Sequence, residues 1–490
     1  MALPIPGPWP LPILGNIWNV DAENSVRDLS NLADVYGPIY KLRIGGEDRI
    51  IVTSQELVNE VCSRKEFAKY PVGFVMQLRE VAPEGLFAAY PDQGSWGIAH
   101  RTLMPTFGST SIKNMFPEMM DTSSQLLLKW ARFGPDHPIN VVDDFTRLTL
   151  DTVTLCAMDT RLNSFYTDEV RPEVKAMVGL LYETQQRTYR PWWITALMRG
   201  RNRKFDDDNN LIHEFAAKVI ANRRANPSNR KDLVDAMLNG RDPKTGKQLT
   251  DDMIIDNMIT FLIAGHETTA GLLSFMMALL LTHREAYSKL QAEIDSVVGT
   301  NAITVEHLKD LKYLKACLWE TLRIHPPSGL FPVTYLDENP NARTTLGKQW
   351  EVKSGQTIII VVPKLHRDPE IWGDDVEEFK PERMMEENFK KIPKNAFKPF
   401  GNGSRACIGR SFALQEATLA IALLFQNLDF KLADPDYKIT IKQNLANKPH
   451  NYFIYAKPRP HVNLLTLQHD LFSVRRDTAS STDSDEEKQD

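Results

Sequence analysis

The stretch that decides the fold is Pro399-Phe400-Gly401-Asn402-Gly403-Ser404-Arg405-Ala406-Cys407-Ile408-Gly409. Three glycines and one cysteine run straight into a helical pattern over residues 410–424. Glycine lets a backbone turn tightly and approach a flat ligand closely. A cysteine placed just before a helix start meets free backbone N–H groups and the positive end of the helix dipole, conditions that favour a thiolate. Arg405, two residues upstream, adds positive charge and can reach a carboxylate. A lone cysteine is most often a buried structural thiol. In this setting Cys407 reads as a ligating thiolate instead.

Working outward, residues 258–281 are almost wholly apolar yet carry His266 and Glu267 near their middle, which would be costly in lipid. A long helix through the centre of a soluble protein, apolar on all sides because buried on all sides, fits better. Its segment Ala264-Gly265-His266-Glu267-Thr268-Thr269 holds a threonine whose hydroxyl can bond back to the helix and open a local groove. In isolation that threonine reads equally well as a satisfied core residue. In Glu320-Thr321-Leu322-Arg323 the two charges are three apart and share a helix face. Trp96-Gly97-Ile98-Ala99-His100 places two ring N–H groups one turn apart, although a lone tryptophan is more often core.

The remainder is organised around helices. A strand pair reads as Ile39-Tyr40-Lys41-Leu42-Arg43-Ile44, a turn at Gly45-Gly46, then Arg49-Ile50-Ile51-Val52. Thr53 with Glu56 predicts a capping box opening a helix. Helical periodicity dominates residues 110–325, and short β-like runs with prolines follow. The fold class is mainly α with a minor β part. Pro4, Pro6, Pro8, Pro10 and Pro12 exclude a signal peptide or membrane helix there and predict an extended lead-in, so the expectation is a cytoplasmic protein without a membrane anchor. A net charge of -5 gives no reason to expect nucleic acid. Four dispersed cysteines without a CxxC pair argue against a disulfide framework or a closed zinc site.

The cysteine loop resembles that of the cytochrome P-450 family, Phe-x-x-Gly-x-Arg-x-Cys-x-Gly, at Phe400, Gly403, Arg405, Cys407 and Gly409. The resemblance spans residues 1–457 and implies a single large fold around a buried haem b (iron protoporphyrin IX). Residues 458–490, rich in serine and acid at the end, are then a tail or the start of a linker. By the same resemblance Cys407 is the axial iron ligand, and Phe400, Trp96, His100, Arg405 and Lys69 contact the haem. His100 stands where the family usually has arginine. Thr268 and Glu267 would guide protons during oxygen activation. Glu320 and Arg323, joined by Arg383 of Pro381-Glu382-Arg383, would lock the fold on the cysteine side; Met384 replaces the usual aromatic after that arginine.

The sequence is most similar to the self-sufficient branch, in which the haem domain is fused to a flavin reductase and hydroxylates fatty acids. Residues 259–269, 366–368 and 371–379 carry that likeness, and the proline-rich opening looks fungal. The implied activity is NADPH- and dioxygen-dependent hydroxylation of a medium- or long-chain fatty acid, or an alcohol, near the chain end. NADPH, FAD and FMN would act only through a reductase, its FMN domain docking by Lys391, Lys394, Lys398 and Arg410. The expected substrate pocket is Phe74, Val75, Leu78, Ala82, Phe87 and Ala264. The carboxylate-binding arginine and tyrosine of bacterial members are matched by Glu47 and Ile51, which do neither job, leaving Arg43 and Arg49 as nearby cations. The competing readings are a peroxide-driven or isomerising thiolate-haem enzyme, and a non-catalytic haem sensor.

Overall fold

The computed structural model describes residues 3–167, 169–443 and 446–463. Its centre is the helix Asp251–Thr282. The helix starts seven residues before the expected apolar run, because Thr250 caps it and Asp251 and Asp252 make a polar first turn that suits the dipole. It is long and apolar enough in composition to cross a bilayer, but most of that apolar surface is buried inside the protein. The helices Val141–Met158, Arg199–Ala225, Lys312–Ile324 and Arg410–Asn427 all pack against it.

The β part is smaller, and one of its strands, Leu330–Tyr335, reaches the cavity described below. A five-stranded sheet runs in the order Ile39–Ile44, Glu47–Val52, Thr357–Val361, Leu330–Tyr335, Phe67–Ala68. Its first hairpin pairs Ile39 with Val52 and Ile44 with Glu47. Gly45 and Gly46 both adopt positive φ, as that tight turn requires. The helix Gln55–Ser63 forms as expected, but the capping box does not. Its N-cap is Ser54 without a side-chain cap bond, while Thr53 Oγ1 donates to Pro38 O.

The packed part runs slightly beyond residue 457. The last described strand is Phe453–Pro458, and Arg459 then reaches Asp295 at 2.6 Å. The serine- and acid-rich run near the end of the chain lies outside the described residues.

Candidate functional site

The residues around Cys407 build one wall of a cavity of ≈ 330 Å³, at the lower end of the range of small-molecule pockets. Two glycines make the loop possible. Gly401 and Gly403 have φ of +74° and +68°, a backbone region that side chains with a Cβ rarely adopt. Cys407 N donates to Phe400 O at 2.9 Å, closing the loop immediately before the helix Arg410–Asn427.

Cys407 is exposed by accessible area, yet it is set deep in the protein: the surface it exposes faces the cavity, not the outside. Burial pushes its thiol above the ordinary value, against the Gly409 N–H and the charges of Lys69 and Arg410. The Gly409 N–H beside the helix start acts in the direction expected of it, favouring the thiolate against that burial. A cation bound at sulfur would take the proton's place. Cys156 and Cys317 differ: both are buried, their thiols pushed far up, and neither lines the cavity.

Beside the cysteine stand Lys69, Trp96, His100 and Arg405, all lining the cavity. Trp96 and His100 stack at 4.8 Å, and the Arg405 guanidinium lies 4.8 Å from the Trp96 ring. Burial pulls Lys69 below its usual value, helped by Arg405, and pulls Arg405 down to about 10. Burial, with Arg101 and Arg405, also lowers His100, keeping the imidazole neutral near pH 7. Arg405 Nε is buried without an acceptor among the described residues, and none of the aspartates or glutamates among them lines the cavity. Charged donors gathered without an anion call for one on the ligand.

The opposite wall is apolar. The central helix presents Phe261, Ala264, Thr268 and Leu272; Phe107, Val153, Leu330 and Phe331 complete it. Thr268 Oγ1 donates to Ala264 O at 3.1 Å, the back-bond expected of it. Glu267 does not face the cavity. It is buried and held by Lys448 at 2.9 Å and His266 at 3.3 Å. Burial would raise its carboxyl, but His266 and Lys448 overcome that and hold it at about 2. The pairing of Glu267 with Thr268 at one proton path is thus not present in this arrangement.

Of the expected pocket residues, Val75, Phe87 and Ala264 line the cavity. Phe74, Leu78 and Ala82 do not; they pack into the core between helices, Leu78 and Ala82 at 1% exposure each. Ile51 is wholly buried, Glu47 pairs with Arg49 at 2.6 Å, and Arg49 also donates to Thr357. Arg43 is engaged by Asp48 at 2.9 Å. Neither arginine lines the cavity. Lys398 is half-buried and lines the cavity rather than forming part of an open basic surface. Sequence reasoning missed Thr260, Phe261 and Leu272, although offsets of four and eight residues (Thr260, Leu272) or three and seven (Phe261) from Ala264 and Thr268 place them on the same helix face.

On the cysteine side, Glu320 meets Arg323 through two 2.8 Å bonds, and Arg383 Nε lies 3.5 Å from Glu320. Glu320 and Arg323 are fully buried, and Arg323 also donates to the carbonyls of His366, Val376 and Glu378. This triad ties the helix Lys312–Ile324 to the segment that leads into the cysteine loop.

A flat, largely apolar ligand with acidic edge groups and a metal that accepts sulfur fits this donor set, and haem has that description. The chain belongs to the cytochrome P-450 family, whose pattern matches residues 5–456. It is 47% identical, over 95% of this chain, to a bifunctional cytochrome P-450/NADPH–P-450 reductase of Acremonium egyptiacum. A protein of the same description from Fusarium oxysporum is 46% identical over 98%. A self-sufficient cytochrome P-450 monooxygenase of Exserohilum turcicum is 45% identical over 94%. The chain spans only 44%, 45% and 42% of the length of these three relatives.

Proposed function

We propose that this chain is the haem portion of a self-sufficient cytoplasmic monooxygenase. It hydroxylates medium- or long-chain fatty acids or the matching alcohols near the chain end, with electrons passed from NADPH through the FAD and FMN of a C-terminally fused reductase. The observation that supports it most is a cavity that, among the described residues, one thiol and no carboxylate line, with charged donors beside the thiol and apolar side chains on the other walls. Haem bound there supplies oxygen activation, favoured by electron donation from a thiolate ligand.

The side chains have separable tasks. Lys69, Trp96, His100 and Arg405 line the cavity and would hold the acidic edge of the cofactor by charge-assisted bonds. Phe107, Phe261, Leu272 and Phe331 keep water out and suit an alkyl chain. Ala264 leaves space beside the Thr268 hydroxyl, whose proton goes to the Ala264 carbonyl and whose oxygen is left to accept a hydrogen bond on the cavity side.

In a carbon-monoxide difference spectrum, Cys407→Ala is expected to abolish the band of thiolate-ligated ferrous haem. Retention of that band in the variant would end the ligand assignment. The engagement of Glu267 by Lys448 favours one second reading, turnover driven by hydrogen peroxide, which asks for no proton delivery from that acid. Product formed equally well from peroxide alone and from NADPH, reductase and dioxygen would favour the second reading.

A further inference from the structure

Phe87 lines the cavity from a loop, and the loop is fastened from below by the central helix. Asp256 Oδ2 accepts from Glu84 N at 2.8 Å, and Asn257 Oδ1 accepts from Leu86 N at 3.0 Å. Asp256 and Asn257 are 5% and 0% exposed. Buried inside a helix, both residue types are poor choices for helix stability and need partners. Here the partners are the two loop amides that flank Gly85. Gly85 itself lies flat on the helix: a Cβ there would overlap the Thr260 hydroxyl and come within 2.9 Å of Asp256 O. Thr260 Oγ1 makes no hydrogen bond and is pressed into this contact.

Other groups hold the rest of the loop. Arg79 donates to Pro83 O at 3.2 Å and Ala88 O at 2.8 Å, and Arg405 donates to Ala89 O. The far oxygen of Asp256 lies 3.8 Å from His213 on the helix Arg199–Ala225. Three elements therefore meet at Asp256.

We propose that Asp256 and Asn257 are positioning residues. With the Gly85–Thr260 contact, they fix how far Phe87 projects into the cavity and hence which carbon of a chain-like substrate is reached. This rests on the hydroxylase reading above. The same rigid helix carries Thr268, eleven residues beyond Asn257, roughly 16 Å along the axis at 1.5 Å per residue. One helix thus sets the spacing between the loop that bears Phe87 and the hydroxyl beside the reacting end.

The test compares the haem-loaded, reductase-supplied wild type with Asn257→Ala, Gly85→Ala, Phe87→Ala and the Asn257→Ala/Phe87→Ala pair. Three readouts apply: amide exchange at Glu84 and Leu86, binding of a saturated fatty-acid chain-length series by haem absorbance, and the carbon hydroxylated. Asn257→Ala is expected to speed Leu86 exchange roughly five- to tenfold, the worth of one hydrogen bond. It and Gly85→Ala should each move the chain-length preference and product position about threefold or more in the direction of Phe87→Ala. In the Phe87→Ala background, Asn257→Ala should add nothing.

Loosened amides with wild-type chain-length preference and products would reduce the clip to a purely structural part and overturn the proposal, as would additivity in the pair. A wild type that binds the series but forms no product overturns the hydroxylase reading, and the binding preference alone then decides the clip. If nothing in the series binds even the wild type, both fall.

Discussion

The two sides of the cavity are built on opposite plans. On the cysteine side polar groups dominate: a glycine loop, cations with no acidic partner among the described residues, and a fully buried glutamate–arginine pair that also gathers three carbonyls. On the substrate side the walls are apolar, come from several elements, and include a loop held by a few bonds. The first side must hold a fixed chemical object, so it tolerates little change. On the reading proposed above the second fits a chain, and there position matters more than charge. Charge pairs near the first should thus be indispensable, and arginines near the second dispensable.

Arg323→Ala bears hardest on that contrast. It leaves the Glu320 carboxylate buried without its partner, at an expected cost of about 3–5 kcal/mol in chemical denaturation. A loss below 1 kcal/mol would erase the distinction between the two sides. Glu267 sharpens it, being an ion pair on the central helix, one residue from Thr268. Its folded value of about 2 lies below the ordinary 4.5, so its stabilisation is complete above pH 4.5 and is lost as pH falls from 4.5 through 2. The full contribution is on the order of 3 kcal/mol. Lys448→Met should remove a large part of it at pH 7 while His266 keeps the rest, Glu267→Gln in the same chain should restore much of the stability, and both should flatten the acid limb of the denaturation profile. The smallest effect is expected at Arg49→Met. Because Arg49 is tied to Glu47 and Thr357 away from the cavity, fatty-acid affinity should change less than roughly twofold in a spectral titration, under 0.5 kcal/mol. A tenfold loss would restore a carboxylate anchor to the first hairpin.

The same contrast explains what could be read in advance. The cysteine loop was legible because its demands are local: Gly401 and Gly403 need positive φ, and Cys407 needs to precede a helix. The central helix and the Gly45–Gly46 hairpin were legible from periodicity and turn chemistry. The substrate wall was not. Phe107, Leu330 and Phe331 reach the cavity only through tertiary packing, while Phe74, Leu78 and Ala82 have the right composition but the wrong facing. Spacing placed Glu267 next to Thr268, yet on a helix adjacent residues point about 100° apart, and Lys448, far along the chain, claims the acid. Burial of the cysteine thiol is likewise a property of the assembled fold.

Arg405 belongs to both plans at once. One guanidinium nitrogen is buried and unsatisfied beside the cavity, and another grips the Ala89 carbonyl at the end of the Phe87 loop. On the reading proposed above, retaining the prosthetic group and placing Phe87 for a chain-like substrate are therefore linked through one side chain. Linkage is reciprocal: a chain molecule that prefers the gripped loop slows loss of the cofactor, and a filled cofactor site tightens the chain molecule by the same factor.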